Sequence, residues 1–558
     1  MKKIELSQKH WIIIIVCAVL VVALVVTCLI AANVSDKSRF IYELKADGTY
    51  KIVDLKNSYR GGLFAKKSIT IPDTYKKKPV TQIDKFDTAS IEEVIIPEGI
   101  TTISQRAFAN SSSIKSIKLP STLKTIGTGA FSSCTGLTKI ELPESITTVS
   151  RDMFSSCINL SEIKLSSLTT AIENGAFNGC KALQSITLPM SVTNIGEGAF
   201  ANSGLKTLTL PQGATQISKN LFSGCVGLTS VTLSDATAAI GETAFKGCTA
   251  LESITLPASI TTIGDNAFAE SGLKTIALPQ GVSKISVGMF SKCESLTSVS
   301  LPNSILEIGQ GAFSGCKLLA SLEIPNSVIS VEPDSFDGCA DTLIKTHNGG
   351  QYVGNSANPY MILLKSADAE ATQLTTHDNT RVIANNAFAG NDKLTAVTLN
   401  DGMNVIGNRA FYNCKNLETL ILANSVSIIG DNAFAGCSKL ASVTKNGAPF
   451  EMGSISTSLN AFTGTVFFNN IAKANKGLVI SNNILYGIDD NTLAESFAKD
   501  SVTDYDVYMS LEDKANSKLT KLRIKGEEKK ITVYIVTEEN SEEKLTVYLS
   551  VNAQYKAQ

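Results

Sequence analysis

Side chains suited to acid–base, nucleophilic or metal chemistry are sparse in this chain: 558 residues hold three histidines, twelve cysteines and one tryptophan. His10, His347 and His377 lie far apart in sequence. A catalytic thiol needs a base within hydrogen-bond reach and a third group to orient that base. Cys339 and His347 are the nearest such pair, and no neighbouring residue would orient the imidazole. A zinc site asks for clustered ligands such as C-x-x-C, a spacing absent here. Gly127-Thr128-Gly129 and Gly196-Glu197-Gly198 begin like phosphate loops but lack the third glycine and a following helix. Gly487-Ile488-Asp489-Asp490-Asn491 is acidic yet short of calcium ligands. Asp and Glu form no recurring close pair of the kind glycoside hydrolysis uses. These residues point to no catalytic site, cofactor or metal. A net charge of −1 likewise lacks the basic footprint of a nucleic-acid binder, and the one basic run, Lys76-Lys77-Lys78, reads as a solvated turn.

The elements that carry these residues form a repeat. Phenylalanine recurs at 86, 108, 131, 154, 177, 200, 222, 245, 268, 290, 313 and 336, then at 388, 411 and 434, in steps of 22 or 23 residues. From Phe245 the unit reads FKGCTALESITLPASITTIGDNAF. Apolar residues fall at Cys248, Leu251, Ile254, Leu256, Ile260 and Ile263, with Ala267 before the next phenylalanine. Residues 251–256 alternate like a half-buried strand. Pro257 ends it, having no N–H for a ladder. A second short stretch covers 260–263, and Gly264 is expected to allow the turn into the Asp265-Asn266-Ala267-Phe268 corner. A lone coil loses about 1–2 kcal/mol of backbone entropy per residue and regains about 1.5–3 kcal/mol per buried apolar side chain. The two nearly cancel, so coils must stack to be stable.

Ten cysteines, at 134, 157, 180, 225, 248, 293, 316, 339, 414 and 437, each follow a repeat phenylalanine by three residues. Ser111, Ser203, Ser271, Asn391 or Ala89 holds that place in the other coils. Small side chains at one structural position indicate a buried column of thiols acting as small hydrophobes. Disulfides between neighbouring coils remain open on distance alone, because adjacent strands lie about 4.8 Å apart. Unpaired thiols in such number sit uneasily with an oxidising exterior.

The unit, with its LxSITLPxSITTIGxxAFxGC reading, resembles the BspA-type leucine-rich repeat of bacterial and protist surface proteins across about residues 65–440. The resemblance implies a β-rich, curved, right-handed solenoid of about 15 coils with roles in adhesion and partner binding, and it supplies no catalytic residues. Ser166 and Ser234 depart from the pattern by replacing the proline, as does the block after Phe336.

Residues 11–32 carry no charge, enough to cross roughly 30 Å of hydrocarbon as a helix. A cleaved signal core runs only about 7–15 residues, which favours an uncleaved signal anchor over cleavage. Lipidation at Cys28 is the weaker option, since Thr27 precedes it. Lys2, Lys3 and Lys9 before the span are matched by Lys37, Arg39 and Lys45 after it, so orientation rests on the short leader, residues 1–10, which places the body outside. The expected plan is a leader at 1–10, a membrane anchor at 11–32, a cap hairpin at 33–64 and the main array at 65–339. An insertion at 340–370, a second repeat block at 371–440, degenerate coils or a cap at 441–500 and a β-strand module at 501–558 complete it.

One face of the array is a candidate for binding. Lys139 and Glu141, Ser185 and Thr187, Thr207 and Thr209, Ser230 and Thr232, Ser253 and Thr255, and Ser298 and Ser300 flank buried strand residues and should point outward. Serine and threonine suit exposed strands for solubility alone; the functional reading is a polar carpet for a protein or glycan partner. The scarcity of aromatics there argues against tight protein hot spots. Two function classes follow: a membrane-anchored surface scaffold that binds a protein or glycan, and an envelope spacer that only presents the C-terminal module.

Overall fold

A computed structural model describes residues 36–56, 67–86, 91–458, 460–475, 478–481, 484–488, 502–507, 520–526, 531–538 and 541–544. The span expected at 11–32 lies outside them. Among the described residues no helix is long and apolar enough to cross a membrane. The chain divides into two compact units, Met1–Lys274 and Thr275–Gln558, which hold about 16 turns of β-solenoid between them.

In the first unit each coil has two short extended stretches joined by a phenylalanine corner. Alternation builds the first stretch: Ile140 is buried between exposed Lys139 and Glu141. That strand pairs in parallel with Glu162–Lys164 of the next coil. The second stretch is two residues long, and Thr148–Val149, Ala171–Ile172 and Asn194–Ile195 form its parallel ladder. Phe131, Phe154, Phe177 and Phe200 stack with centroids 5.6, 5.6 and 5.5 Å apart. Aromatic pairs favour such separations. At the start of the unit, Phe40–Leu44 pairs antiparallel with Tyr50–Leu55, which runs parallel to Lys78–Ile83. Phe40 stacks on Phe86 at 5.6 Å, closing the open end of the aromatic column.

The corner corrects one expectation. At the corners from Phe108 to Phe313 two residues per coil adopt positive φ, two before and two after the phenylalanine, as with Asn266 (54°) and Glu270 (59°) around Phe268. The turn is therefore made at Asn266, a residue type that tolerates this region, and not at Gly264. Gly264 is needed for a different reason: a Cβ there would stand 2.5 Å from the Glu242 backbone nitrogen of the preceding coil. Leu256, expected in the core, is only half-buried, whereas Leu251 and Ile260 are fully enclosed.

The 22-residue steps have a structural cause. After Phe200 and Phe268 one residue is missing behind Ser203 and Ser271, and the chain closes tightly over the coil before. Gly204 donates its N–H to Cys180 O at 3.0 Å, and a Cβ on it would meet Lys181 O at 1.9 Å. Lys206 N then reaches Gln184 O at 2.9 Å, the bond that Thr229 N makes to Lys206 O one coil on, so the missing residue is absorbed before the strand. The first-strand ladder is interrupted in the coils just before, so residues 185–187 and 253–255 lie outside assigned strands.

In the second unit Phe290, Phe313 and Phe336 stack at 5.4 and 5.6 Å. Phe388, Phe411, Phe434 and Phe462 follow at 5.2, 5.1 and 5.1 Å. Phe462 therefore carries the repeat past residue 440, and Ser456–Thr457 pairs in parallel with Ile428–Ile429. A helix, Val466–Ala474, begins where the Thr465 side chain accepts from Phe468 N at 3.0 Å. The inserted residues form antiparallel strands Lys345–His347, Gly350–Val353 and Ile362–Ser366. The last of these joins the second-strand ladder, parallel to Val382–Ile383. Val502–Val507, Thr520–Gly526, Ile531–Glu538 and Ser541–Lys544 form an antiparallel sheet in that order.

Candidate binding face

The alternation that buries Ile140, Leu208 and Val231 leaves their neighbours outside. All twelve residues anticipated for the face are exposed: Lys139, Glu141, Ser185, Thr187, Thr207, Thr209, Ser230, Thr232, Ser253, Thr255, Ser298 and Ser300. Parallel register stacks them in columns, with Thr207 opposite Ser230 and Thr209 opposite Thr232 in the first unit. In the second unit Ser298 and Ser300 stand opposite Thr275 and Ala277. Ser185, Thr187, Ser253 and Thr255 are exposed without strand pairing, where the first-strand ladder is interrupted.

The cysteine column is chemically quiet. All ten side chains are thiols, so the disulfide alternative is not realised here. Sequence reasoning missed what each does. Cys157 Sγ donates to Phe131 O at 3.1 Å, and Cys180 Sγ to Phe154 O at 3.2 Å. Cys225, Cys248, Cys316, Cys414 and Cys437 repeat the contact on the phenylalanine one coil back. Phe131 O also accepts from Cys134 N at 3.1 Å, so both of its lone pairs are used. Burial pushes the Cys157 thiol up to about 12, and that of Cys339 also to about 12. Both thiols stay protonated at neutral pH, and the thiolate is the nucleophilic form. Cys339 Sγ donates to Phe313 O at 3.2 Å, as its column requires.

The BspA-type leucine-rich-repeat family model matches in six copies over residues 81–206, 215–343 and 366–492, more than half of the chain. The chain belongs to this family. Solved structures similar to it include a leucine-rich repeat protein from Bacteroides ovatus, 27% identical, covering 73% of this chain and 92% of that one with a TM-score of 0.47. A leucine-rich cell surface protein from Faecalibacterium prausnitzii is 25% identical, with coverages of 74% and 94% and a TM-score of 0.30. A leucine-rich repeat protein of T. pallidum is 23% identical, with coverages of 42% and 86% and a TM-score of 0.27. No curated protein matches the sequence.

Within this BspA-type array the face is not uniform. In the first unit its early coils are charged and cross-linked between strands. Glu92 bridges Lys115 at 2.8 Å and Lys67 at 3.0 Å, and the two ammonium groups hold its carboxyl below the usual range. Lys164 pairs with Glu141 one coil back. Lys118, Lys139, Glu141, Glu162 and Lys164 line a groove of about 820 Å³ there. From residue 207 to 232 the face is serine and threonine only. Beside it, Glu98 accepts from Ser121 N at 3.0 Å, Ser121 Oγ at 3.0 Å and Thr122 N at 3.1 Å. Glu144 is satisfied in the same way by Ser166 Oγ, Ser167 N and Ser167 Oγ.

Sequence reasoning also missed a cluster in the second unit. His347 and His377, set 30 residues apart in the chain, have ring centroids 4.8 Å apart. Tyr360 stacks on His377 at 4.0 Å, and Tyr352 lies 5.7 Å from Tyr360 at a steep angle. The antiparallel fold of the insertion brings them together, so no local pattern announces it. Among the described residues no group of three or more His, Cys, Asp or Glu side chains is placed to hold a metal ion.

Proposed function

We propose that this chain is a cell-surface binding scaffold, held in the membrane by residues 11–32, with its array outside and a protein or glycan as partner. The observation that carries the reading is the parallel register of exposed polar columns, Thr207 over Ser230 and Thr209 over Thr232, on a rigid, repeated core. A surface of this kind offers many equivalent hydrogen-bonding rows and no deep catalytic pocket, which suits weak contacts repeated along an extended ligand. The buried, protonated thiols fit a non-catalytic role, and their burial shelters them from an oxidising exterior. Family membership supports the reading, since the similar Faecalibacterium protein is described as a cell surface protein. The uncharged run at 11–32 supports the anchor.

Protease added to intact cells tests the arrangement. Fragments from residues 65–558 should be released while a stub containing Trp11 stays with the membrane fraction, because packed coils resist cleavage and exposed connections do not. Full protection in intact cells, with digestion only after lysis, would leave an internal scaffold in place of a surface one.

A further inference from the structure

Where the insertion meets the second repeat block, Asn358, Asp378, Asn379, Arg381, Asn404 and Ser425 line a shallow pocket of about 610 Å³. Asp378 sits ten residues before Phe388, the coil position that Glu98 and Glu144 hold before Phe108 and Phe154. Those two glutamates are closed off by three donors each from the following coil. At Asp378 the side chain is one methylene shorter and the following coil presents Asp401-Gly402 in place of serine and threonine. Gly402 N is itself committed to Ser425 Oγ at 2.9 Å. Among the described residues, therefore, no group donates to the Asp378 carboxylate, and the Arg381 guanidinium in the same pocket has no ion pair. Asn404 Oδ1 accepts from Ser427 Oγ, which leaves its two amide hydrogens for a ligand. The wall is held firmly, because Asn358 Nδ2 donates to Asn379 O at 2.7 Å and Asn358 Oδ1 accepts from Tyr360 N at 3.2 Å. Directly along the chain from Asn358 and Asp378 lies the stacked Tyr360–His377 pair.

We propose that this pocket is a glycan subsite. A carboxylate that accepts paired hydroxyls, with a guanidinium and amides that donate to hydroxyl and ring oxygens, is the complement of a pyranose, whose rim carries vicinal O–H pairs and a ring oxygen. A protein partner would look for an apolar anchor pocket, whereas six of the eight residues lining this one carry polar side chains and none is a large apolar residue. The assignment rests on the scaffold reading above and narrows it to one place on the second unit.

The test uses the full chain in detergent or nanodiscs, titrated calorimetrically with a glucose hexasaccharide, an N-acetylglucosamine hexasaccharide and oligogalacturonate. At least one should bind, and Asp378→Asn and Arg381→Gln should each weaken it by about ten- to a hundredfold, the usual worth of a charged hydrogen bond, with unchanged melting. Thr207→Ala combined with Thr209→Ala serves as the comparison on the first unit's face. Binding that survives both pocket variants but is lost in the threonine pair overturns the subsite and keeps the scaffold. Binding to none of the three oligosaccharides overturns the glycan assignment, and capture of a protein ligand by the same chain would then show that the scaffold reading outlives it. Equal affinity in all variants also overturns the subsite.

Discussion

Residues 108–200 in the first unit and 336–388 in the second are built from the same repeat, yet they differ in how they use it. In the first, five successive phenylalanines stack without a gap and every cysteine in the stretch reaches the phenylalanine carbonyl one coil back. In the second, the step from Phe336 to Phe388 is 52 residues and the inserted strands intervene. Around the insertion Glu323 and Glu332 take donors from Ser356 and Asn385 in place of the next regular coil, while Asp378, facing Asp401-Gly402, is left open. Regular repetition pairs polar groups coil against coil; the interruption exchanges some of those partners.

The largest test of this contrast is aromatic truncation. Phe245 is fully buried and stacked on both sides, at 5.3 Å to Phe222 and 5.4 Å to Phe268. Phe245→Ala should cost about 3–5 kcal/mol, read as a lower denaturant midpoint. Phe388 has its stacked partner, Phe411, toward the C-terminal side. Phe388→Ala should cost measurably less. Equal costs would mean that the insertion supports Phe388 as fully as a regular coil would.

Gly264→Ala comes next. The added Cβ meets backbone rather than a side chain that can swing aside, so the coil must shift and about 1–3 kcal/mol should be lost. Gly390 sits at φ 75° with nothing near a Cβ, so its alanine variant should suffer from backbone conformation alone. The diagnostic is where the damage lies. Hydrogen exchange should speed up in residues 239–264 for Gly264→Ala and only around the corner for Gly390→Ala.

Much of this was legible in the sequence because each coil repeats its neighbour. The phenylalanine period, the buried set of Cys248, Leu251, Ile254, Ile260 and Ile263, and the outward columns all follow from local alternation repeated at 22 or 23 residues. The close approach at Gly264 was not legible, since glycine in a turn reads first as conformational freedom. The clash at Gly204 was half-visible: in the three 22-residue coils Ala89, Ser203 or Ser271 replaces cysteine, and only the geometry shows why the coil has tightened. The His347–Tyr360–His377 cluster and the open Asp378 depend on how a non-repeating segment folds back, and no period encodes that.

A pH series sharpens the comparison further. A thiol whose pKa is raised on folding stabilises the native state fully below its unfolded value near 9, because there both states hold the proton. Above that value the unfolded chain loses the proton and the folded chain does not, so stability falls as pH climbs toward about 12, where Cys157 itself titrates. Denaturant midpoints should be flat up to pH 9 and decline beyond it. At pH 8, about ten more cysteines should react after unfolding than before, matching the ten thiols of the column. Among them Cys339, beside the break and less enclosed than Cys134 or Cys157, should react first in native protein.

The smallest effect separates stability from binding. Thr255 projects from the open face between buried Ile254 and half-buried Leu256, outside any strand pairing. Its methyl and hydroxyl meet water in folded and unfolded chains alike, so Thr255→Ala should change stability by no more than about 0.5 kcal/mol. Thr207 and Thr209 lie in a paired strand, yet their side chains are as exposed. The double alanine variant should lose only the modest strand preference of threonine, within about 1 kcal/mol. Both variants should therefore melt close to the parent while Phe245→Ala does not. If Thr255→Ala proved as damaging as Phe245→Ala, the inside and outside of the coil would have been exchanged. If the threonine variants instead lowered ligand affinity with stability intact, the columns would be contributing to recognition, which solubility alone does not require.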